Sequence, residues 1–403
     1  MKETYLDNAA TTPCDKQVLK EMEPYCGKIY GNPSSFNEAG RKARKAIEEA
    51  RKKIVGIIGA KKQELTFTSS VSESNNLAIL GLIRALNKTK KSHIITTRIE
   101  HPSVLNTIKS LEKEGVKITY LPVNKEGLIN LDEFQKFIKP ETILVSIIYA
   151  NNEIGSIQPI KKIAKIIKEI RNSGLTYPYL HIDAAQAGAH LDMKVNNLGV
   201  DLMSISSHKI YGPKGIAALY IRQGIKVEPL IHGGNQEWGL RSSTEPTPLI
   251  AGFAKAFDLA DAEKKKNLEK QEGLRNYFIS ELRKNFPSLK INGPENPRDR
   301  VPHIISAAFE GIENEQLLLQ LDKAGIHASA GSACTSRQIE PSHVLKAIGL
   351  KDSEARSTIR ISLGKQTTLD ELKYVLKILP KVVKNIKKLY PEELKKHYYG
   401  RVD

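Results

Sequence analysis

The sequence predicts an α/β protein, with a mostly parallel sheet flanked by helices and a smaller α+β section after it. Short β-branched runs alternate with longer amphipathic ones as far as residue 206. Beyond about residue 251 that rhythm gives way to one long charged helical pattern followed by a few strands. At 403 residues the chain also exceeds what a single core usually holds, which favours two units.

In chain order, 64–68, 93–97, 117–121, 142–149, 179–183 and 202–206 read as buried strands, being short, apolar and rich in Ile, Val and Thr. Between them, 39–58, 73–86, 102–114, 131–138 and 159–173 carry helical spacing. Strands that alternate with helices pair in parallel through crossovers, which puts helices on both faces of the sheet. Ligands of such sheets gather at the carboxyl ends of the strands. A helix over 250–285 leads to strands at 304–309 and 357–363 and to terminal helices. The boundary falls within that long helix, giving a large unit of 13–257 and a small one of 1–12 with 258–403. The opening strand near Tyr5 joins or packs beside the small unit.

Composition excludes several classes. A hydrophobic fraction of 40% and a charged fraction of 27% are ordinary for a globular enzyme. No apolar run approaches the roughly 20 residues that span a bilayer. Residues 1–7 resemble neither a secretion signal nor an Arg-rich presequence, so a cytoplasmic location is expected. The three cysteines, Cys14, Cys26 and Cys334, form no even set and no Cys-x-x-Cys, so neither a disulfide framework nor an intrinsic metal site is expected. The formal charge of +17 comes from lysines spread along helical patterns, as in Lys161-Lys162 and Lys264-Lys265-Lys266. No recognition motif accompanies it, so direct nucleic-acid binding is not expected, whereas an acidic partner would suit it. The chain also lacks the G-x-G-x-x-G fingerprint after its first strand and the P-loop pattern.

Three strand ends carry chemistry. In Phe67-Thr68-Ser69-Ser70-Val71-Ser72-Glu73, a strand stops, hydroxyl residues follow and a helix begins. Free backbone N–H groups there can cradle a phosphate; the same residues also make an ordinary N-cap. In His181-Ile182-Asp183-Ala184-Ala185-Gln186, an aspartate ends an apolar strand. Its carboxylate can pair with a pyridinium nitrogen and keep that ring an electron sink, or simply cap the next turn. In Ser206-Ser207-His208-Lys209-Ile210-Tyr211-Gly212-Pro213, a lysine follows a buried strand and precedes a tight turn, unlike the surface lysines elsewhere. Such a lysine can lose its proton and form a Schiff base with an aldehyde. Phosphate donors, a pyridinium partner and an imine lysine on successive strand ends are jointly a rare arrangement.

Together these residues resemble fold-type-I pyridoxal-phosphate enzymes and, more narrowly, the cysteine desulfurases of the class V aminotransferase group. The likeness runs from Tyr5-Leu6-Asp7-Asn8-Ala9-Ala10-Thr11-Thr12-Pro13 through Gly31-Asn32-Pro33, Glu100-His101 and Asn151-Asn152-Glu153-Ile154-Gly155 to Gly331-Ser332-Ala333-Cys334-Thr335-Ser336 and Arg360-Ile361-Ser362. It implies pyridoxal 5'-phosphate as cofactor, Lys209 as the lysine that holds it, Asp183 as the pyridinium partner and His101 as the residue stacked on the ring. Gln186 would bond the ring hydroxyl and Asn152 would lie beside cofactor and substrate. Ser72, Ser206, Ser207 and His208, with the Val71 backbone, would contact the cofactor at its phosphate end. Thr244 would reach that phosphate across a homodimer interface. Arg360 would pair with the substrate carboxylate, where a planar fork suits two oxygens.

Cys334 matches the family's sulfur acceptor. The small residues Ala330-Gly331-Ser332-Ala333 before it suit a thiol that both attacks and delivers. Attack needs the thiolate and hence a proton acceptor, with His101 or a freed cofactor group as candidates. The implied reaction removes sulfur from L-cysteine, leaving L-alanine and a persulfide on Cys334. That sulfur would pass to an iron–sulfur scaffold, with which Cys334 could share a transient cluster, or to a tRNA-thiolation enzyme. Selenocysteine lyase or another class V enzyme is the alternative within enzymes, and an inactive basic scaffold the alternative outside them. The chain departs from the family pattern at Ser70, Asn235 and Ser243, where glycine is usual, and at Trp238, where arginine is frequent.

Overall fold

The computed structural model describes residues 3–86, 92–331 and 341–389. Its strands are β1 (Thr4–Tyr5), β2 (Leu65–Thr68), β3 (His93–Thr97), β4 (Lys117–Leu121), β5 (Thr142–Ile148), β6 (Tyr179–Asp183), β7 (Leu202–Ser206), β8 (Ala217–Ile221), β9 (Lys290–Asn292), β10 (Ile304–Ala308), β11 (Ile326–His327) and β12 (Thr358–Ser362). Seven form one sheet in the order β2-β8-β7-β6-β5-β3-β4. Pairing is parallel from β7 to β4, whereas β8 runs antiparallel to both β2 and β7. The fold is thus α/β with a mostly parallel sheet.

Every residue of β5 and β7 is buried, as expected of strands covered by helices on both faces. Ile147, Ile182 and Met203 belong to a cluster that also holds Phe253 and Phe257, while Leu144, Leu202 and Leu219 belong to a second cluster with Val104 and Ile108. A third gathers Leu6, Phe278, Leu282, Ile305 and Ile361. The helix Thr247–Asn285 therefore serves two cores along its length. β1 pairs in parallel with β11, and β12-β10-β9 form an antiparallel sheet.

The structure differs from the sequence reading in two places that matter. The strand β8 is unforeseen because Ala217-Ala218-Leu219-Tyr220-Ile221 lacks a β-branched run; it is held by long-range pairing on both sides. The helix expected over 73–86 is interrupted by a π-helical stretch, Leu77–Gly81, between Val71–Asn76 and Leu82–Ala85. Gly81 packs so closely on Glu228 that a Cβ there would lie 2.5 Å from the Glu228 carbonyl oxygen, a contact invisible to local periodicity.

Candidate active site

The carboxyl ends of β2, β6 and β7 meet around a cavity of about 190 Å³. After β2, Ser70 takes an extended backbone and caps the next helix, its side chain accepting from Glu73 N at 3.1 Å. Serine at this departure position therefore supplies a helix cap and adopts no glycine-only conformation. Val71 and Ser72 follow on the cavity wall. At the end of β6, Asp183 accepts from Ala185 N at 3.0 Å through Oδ1 and from Asn75 Nδ2 at 2.8 Å through Oδ2.

After β7 the chain turns sharply. Ile210 N and Gly212 N both donate to the Ser207 carbonyl, at 3.0 and 3.1 Å, and Tyr211 adopts φ 66°. The segment Asn8–Asp15 clamps this turn: Thr12 N donates to the His208 carbonyl at 3.0 Å and Asp15 N to that of Tyr211 at 2.9 Å. Lys209 Nζ donates to the carbonyls of Ala9 (2.6 Å) and Ala10. Burial, with Lys209 and Lys214 nearby, brings His208 down to about 4. Ser206 Oγ is buried and makes no hydrogen bond among the described residues, so it stands as an unspent donor on the cavity wall.

His101 begins the helix Pro102–Lys113 and accepts from Ser103 N at 3.1 Å through Nδ1, which also lies 2.8 Å from Ser103 Oγ. Burial lowers its pKa; Asp183 opposes this, and Lys209 and His343 add to it. Arg360, on β12, is 1% exposed. Its Nη1 donates to the Asn152 carbonyl at 2.9 Å and its Nη2 to Asp7 Oδ1 at 2.8 Å, while Nε lacks a partner among the described residues. Gln186 Nε2 donates to the Ala9 carbonyl at 2.9 Å.

Of the residues singled out from sequence, Val71, Ser72, His101, Asn152, Asp183, Gln186, Ser206, His208, Lys209 and Arg360 line this one cavity. Ser207 does not; it is fully buried behind the turn. Thr244 is exposed and lies off the cavity wall. Cys334 lies outside the described residues. Sequence reasoning missed Asn75, Ser103 and the Ala9 and Ala10 carbonyls. Nothing local marks Asn75, whose partners Asp183 and Ser103 come from other elements, whereas Ser103 is two residues from His101 and its local signal is a capping position.

A lysine amine, an acceptor carboxylate, a ring-sized gap beside an imidazole and unspent hydroxyl and N–H donors suit a planar, phosphorylated pyridine aldehyde. This architecture is that of the fold-type-I enzymes, and the chain belongs to the aminotransferase class-V family, whose profile matches residues 4–375. Enzymes of that family depend on pyridoxal phosphate. The chain is 47% identical over 390 residues to a protein of Dictyoglomus turgidum named cysteine desulfurase IscS, covering 97% of each. It superposes on a solved NifS-like protein with a TM-score of 0.88 at 36% identity, covering 95% of this chain and 100% of that one. A second solved structure, described as SspA in complex with cysteine, matches with a TM-score of 0.78 and 37% identity over 91% of this chain and 100% of the other.

Proposed function

We propose that the protein is a pyridoxal-phosphate-dependent cysteine desulfurase that converts L-cysteine to L-alanine and leaves the sulfur as a persulfide on Cys334. The observation that carries this reading is the convergence of Lys209, Asp183 and the unspent Ser206 hydroxyl on one cavity. Bound there, the cofactor supplies an electron-poor ring that takes up negative charge from the substrate α-carbon. Val71 N–H, Ser72, Ser206 and His208 would hold the phosphate, Asp183 would pair with the ring nitrogen and Gln186 with the ring hydroxyl, and His101 and Asn152 would contact the ring. Ser207 acts from behind the wall by anchoring the turn.

Arg360 binds the substrate carboxylate. Its two ends are fixed on Asn152 and Asp7, so its remaining donors are aimed before substrate arrives. Lys209 takes the α-proton, and its place beside the Ala9 and Ala10 carbonyls is where the ammonium form is then accommodated. Cys334 attacks the substrate sulfur as a thiolate; the carbon–sulfur bond breaks as the sulfur–sulfur bond forms, and a proton replaces sulfur on the β-carbon.

The same proposal includes a homodimer in which Thr244 completes the partner's phosphate site, with a division into units of 13–257 and of 1–12 with 258–403. Leu6 packs with Phe278 rather than with Phe253, in keeping with that division. It includes an acidic sulfur acceptor (an iron–sulfur scaffold or a tRNA-thiolation enzyme) and a cytoplasmic location. No helix among the described residues is long and apolar enough to cross a membrane.

The test is spectroscopic and chemical. Adding pyridoxal phosphate should give a visible absorbance band that Lys209→Ala lacks. Alanine and persulfide should form from L-cysteine, and Cys334→Ala should keep the band but lose both products. No band in the wild type, or undiminished turnover by Cys334→Ala, overturns the reading.

A further inference from the structure

His101 is the acid–base group of the cavity whose proton position the structure determines. Four side chains join in one directional chain. Asp183 Oδ2 accepts from Asn75 Nδ2 at 2.8 Å, and the same nitrogen lies 2.9 Å from Ser103 Oγ, which lies 2.8 Å from His101 Nδ1. A carboxylate offers only acceptors, so Asn75 must turn its amide nitrogen to Asp183; flipping the amide would set oxygen against oxygen. Both amide hydrogens are then committed, one to Asp183 and one to Ser103 Oγ. The Ser103 hydroxyl, having accepted from Asn75, has one hydrogen to give, and His101 Nδ1 is the acceptor beside it.

A second donor agrees. Ser103 N–H also points at His101 Nδ1, at 3.1 Å, and a backbone N–H cannot reverse its role. A hydrogen on Nδ1 would face both donors. Asn75 is fully buried and its Oδ1 has no partner among the described residues, so no further hydrogen bond competes for its orientation.

We propose that Asn75 and Ser103 are positioning residues that lock His101 in the tautomer carrying its proton on Nε2, so that His101 meets the cavity as a hydrogen-bond donor and not as a base. This deepens the function proposed above and rests on it for the carboxylate role of Asp183. It also narrows the mechanism. The proton acceptor for the attacking or substrate thiol is then a group other than His101 Nε2. His101 instead donates toward negative charge on the reacting sulfur or the ring. The charged and titratable groups that bear on the imidazole are Asp183, Lys209 and His343; the first favours its protonation, the other two oppose it, and burial opposes it most.

The experiment is long-range proton–nitrogen correlation NMR on ¹⁵N-histidine-labelled protein, with and without pyridoxal phosphate, with the His101 signals assigned by their loss in His101→Gln. The expected wild-type result is an unprotonated Nδ1 and a protonated Nε2 at pH 7.5, persisting below the ordinary histidine range of about 6.5. In Ser103→Ala the ring should titrate at higher pH, because the neutral form loses a hydrogen bond, while the backbone N–H of residue 103 still holds most of the neutral ring in the Nε2–H form. Ser103→Thr should restore the wild-type signature, and Asn75→Leu should weaken it by freeing the Ser103 hydroxyl. Turnover of L-cysteine by Ser103→Ala should fall about fivefold in kcat with KM little changed, the factor that one hydrogen bond gives. A proton on Nδ1 in the wild type, or an unchanged ring titration in Ser103→Ala, overturns the proposal. If either variant fails to fold, the wild-type spectrum decides. If the wild type shows the Nε2–H tautomer yet gives no absorbance band, the inference stands and the desulfurase reading falls.

Discussion

Replacing Glu237 by alanine should destabilise the protein by about 3 kcal/mol, the low end of the cost of leaving a buried charge unpaired, because Arg51 keeps Glu48 at 3.4 Å and the Leu65 carbonyl at 2.7 Å. Glu237 lies in the loop that leads to Thr244, and its side chain and that of Arg51 are 3% and 4% exposed. The carboxylate accepts from Arg51 Nη2 at 2.6 Å, Arg51 Nη1 at 3.0 Å and Phe67 N at 2.7 Å, which ties the loop to β2 just before the phosphate turn. The tie also offsets local strain, because Asn235, Glu237 and Trp238 hold φ of 56°, 49° and 62°, a region that costs non-glycine residues roughly 1 kcal/mol or more each. Asparagine tolerates that region best, which accounts for Asn235 at a usual glycine position. The protein's single tryptophan reports the event directly: Trp238 is 50% exposed, lies 5.3 Å from the Arg51 guanidinium and donates from Nε1 to the Leu65 carbonyl at 3.2 Å. Urea unfolding at fixed protein concentration should therefore show the loss, with Trp238 emission altered before the main transition. Exchanging both partners, Arg51→Met with Glu237→Leu, should recover most of the stability, since neither charge is then stranded. A loss under about 1 kcal/mol with unchanged Trp238 emission would refute the argument.

Arg360→Lys should raise KM for L-cysteine about 10- to 100-fold, because an ammonium cannot hold Asp7 and the Asn152 carbonyl and still grip a carboxylate with charged hydrogen bonds; steady-state kinetics checks this. Gly212→Ala should diminish the pyridoxal-phosphate absorbance band, since a Cβ there would lie 2.2 Å from Ser207 Oγ and 2.9 Å from the Ser207 carbonyl and must open the turn that presents Lys209. His181, between Ser146 and Ser204 in the sheet core, is held down to about 4 by burial, against 6.5 for the free side chain. The stability carried by its neutral ring is complete above pH 6.5 and is lost as pH falls toward 4, up to about 3 kcal/mol, so urea unfolding of His181→Asn should depend less on acid than that of the wild type.

Much of the large sheet was legible because its strands advertise themselves. The spans 93–97, 117–121, 179–183 and 202–206 coincide with β3, β4, β6 and β7, since short β-branched runs between helical patterns have little else to become. β8 was not legible, because an Ala-Ala-Leu-Tyr stretch becomes a strand only when β2 and β7 offer it edges. The cavity was legible in part for the same reason. Asp183 and Lys209 stand at strand ends that sequence could locate, whereas Asn75 meets Asp183 across 108 residues and Ser103 meets Asn75 across 28.

Sequence by itself therefore determined the reactive inventory: a lysine in a tight turn, an aspartate ending a buried strand, a histidine opening a helix, and the class of fold that gathers them. Residue identity sets which atoms can donate, accept or lose a proton, and periodicity sets which strand ends they occupy. Tertiary structure alone decided how those atoms are directed. The Ala9 and Ala10 carbonyls on Lys209, Asp7 on Arg360, and Asn75, which orients Ser103 beside His101, all come from segments distant in the chain. Hydrogen-bond direction is a property of neighbours in space, so the side on which His101 carries its proton is written only in the folded chain.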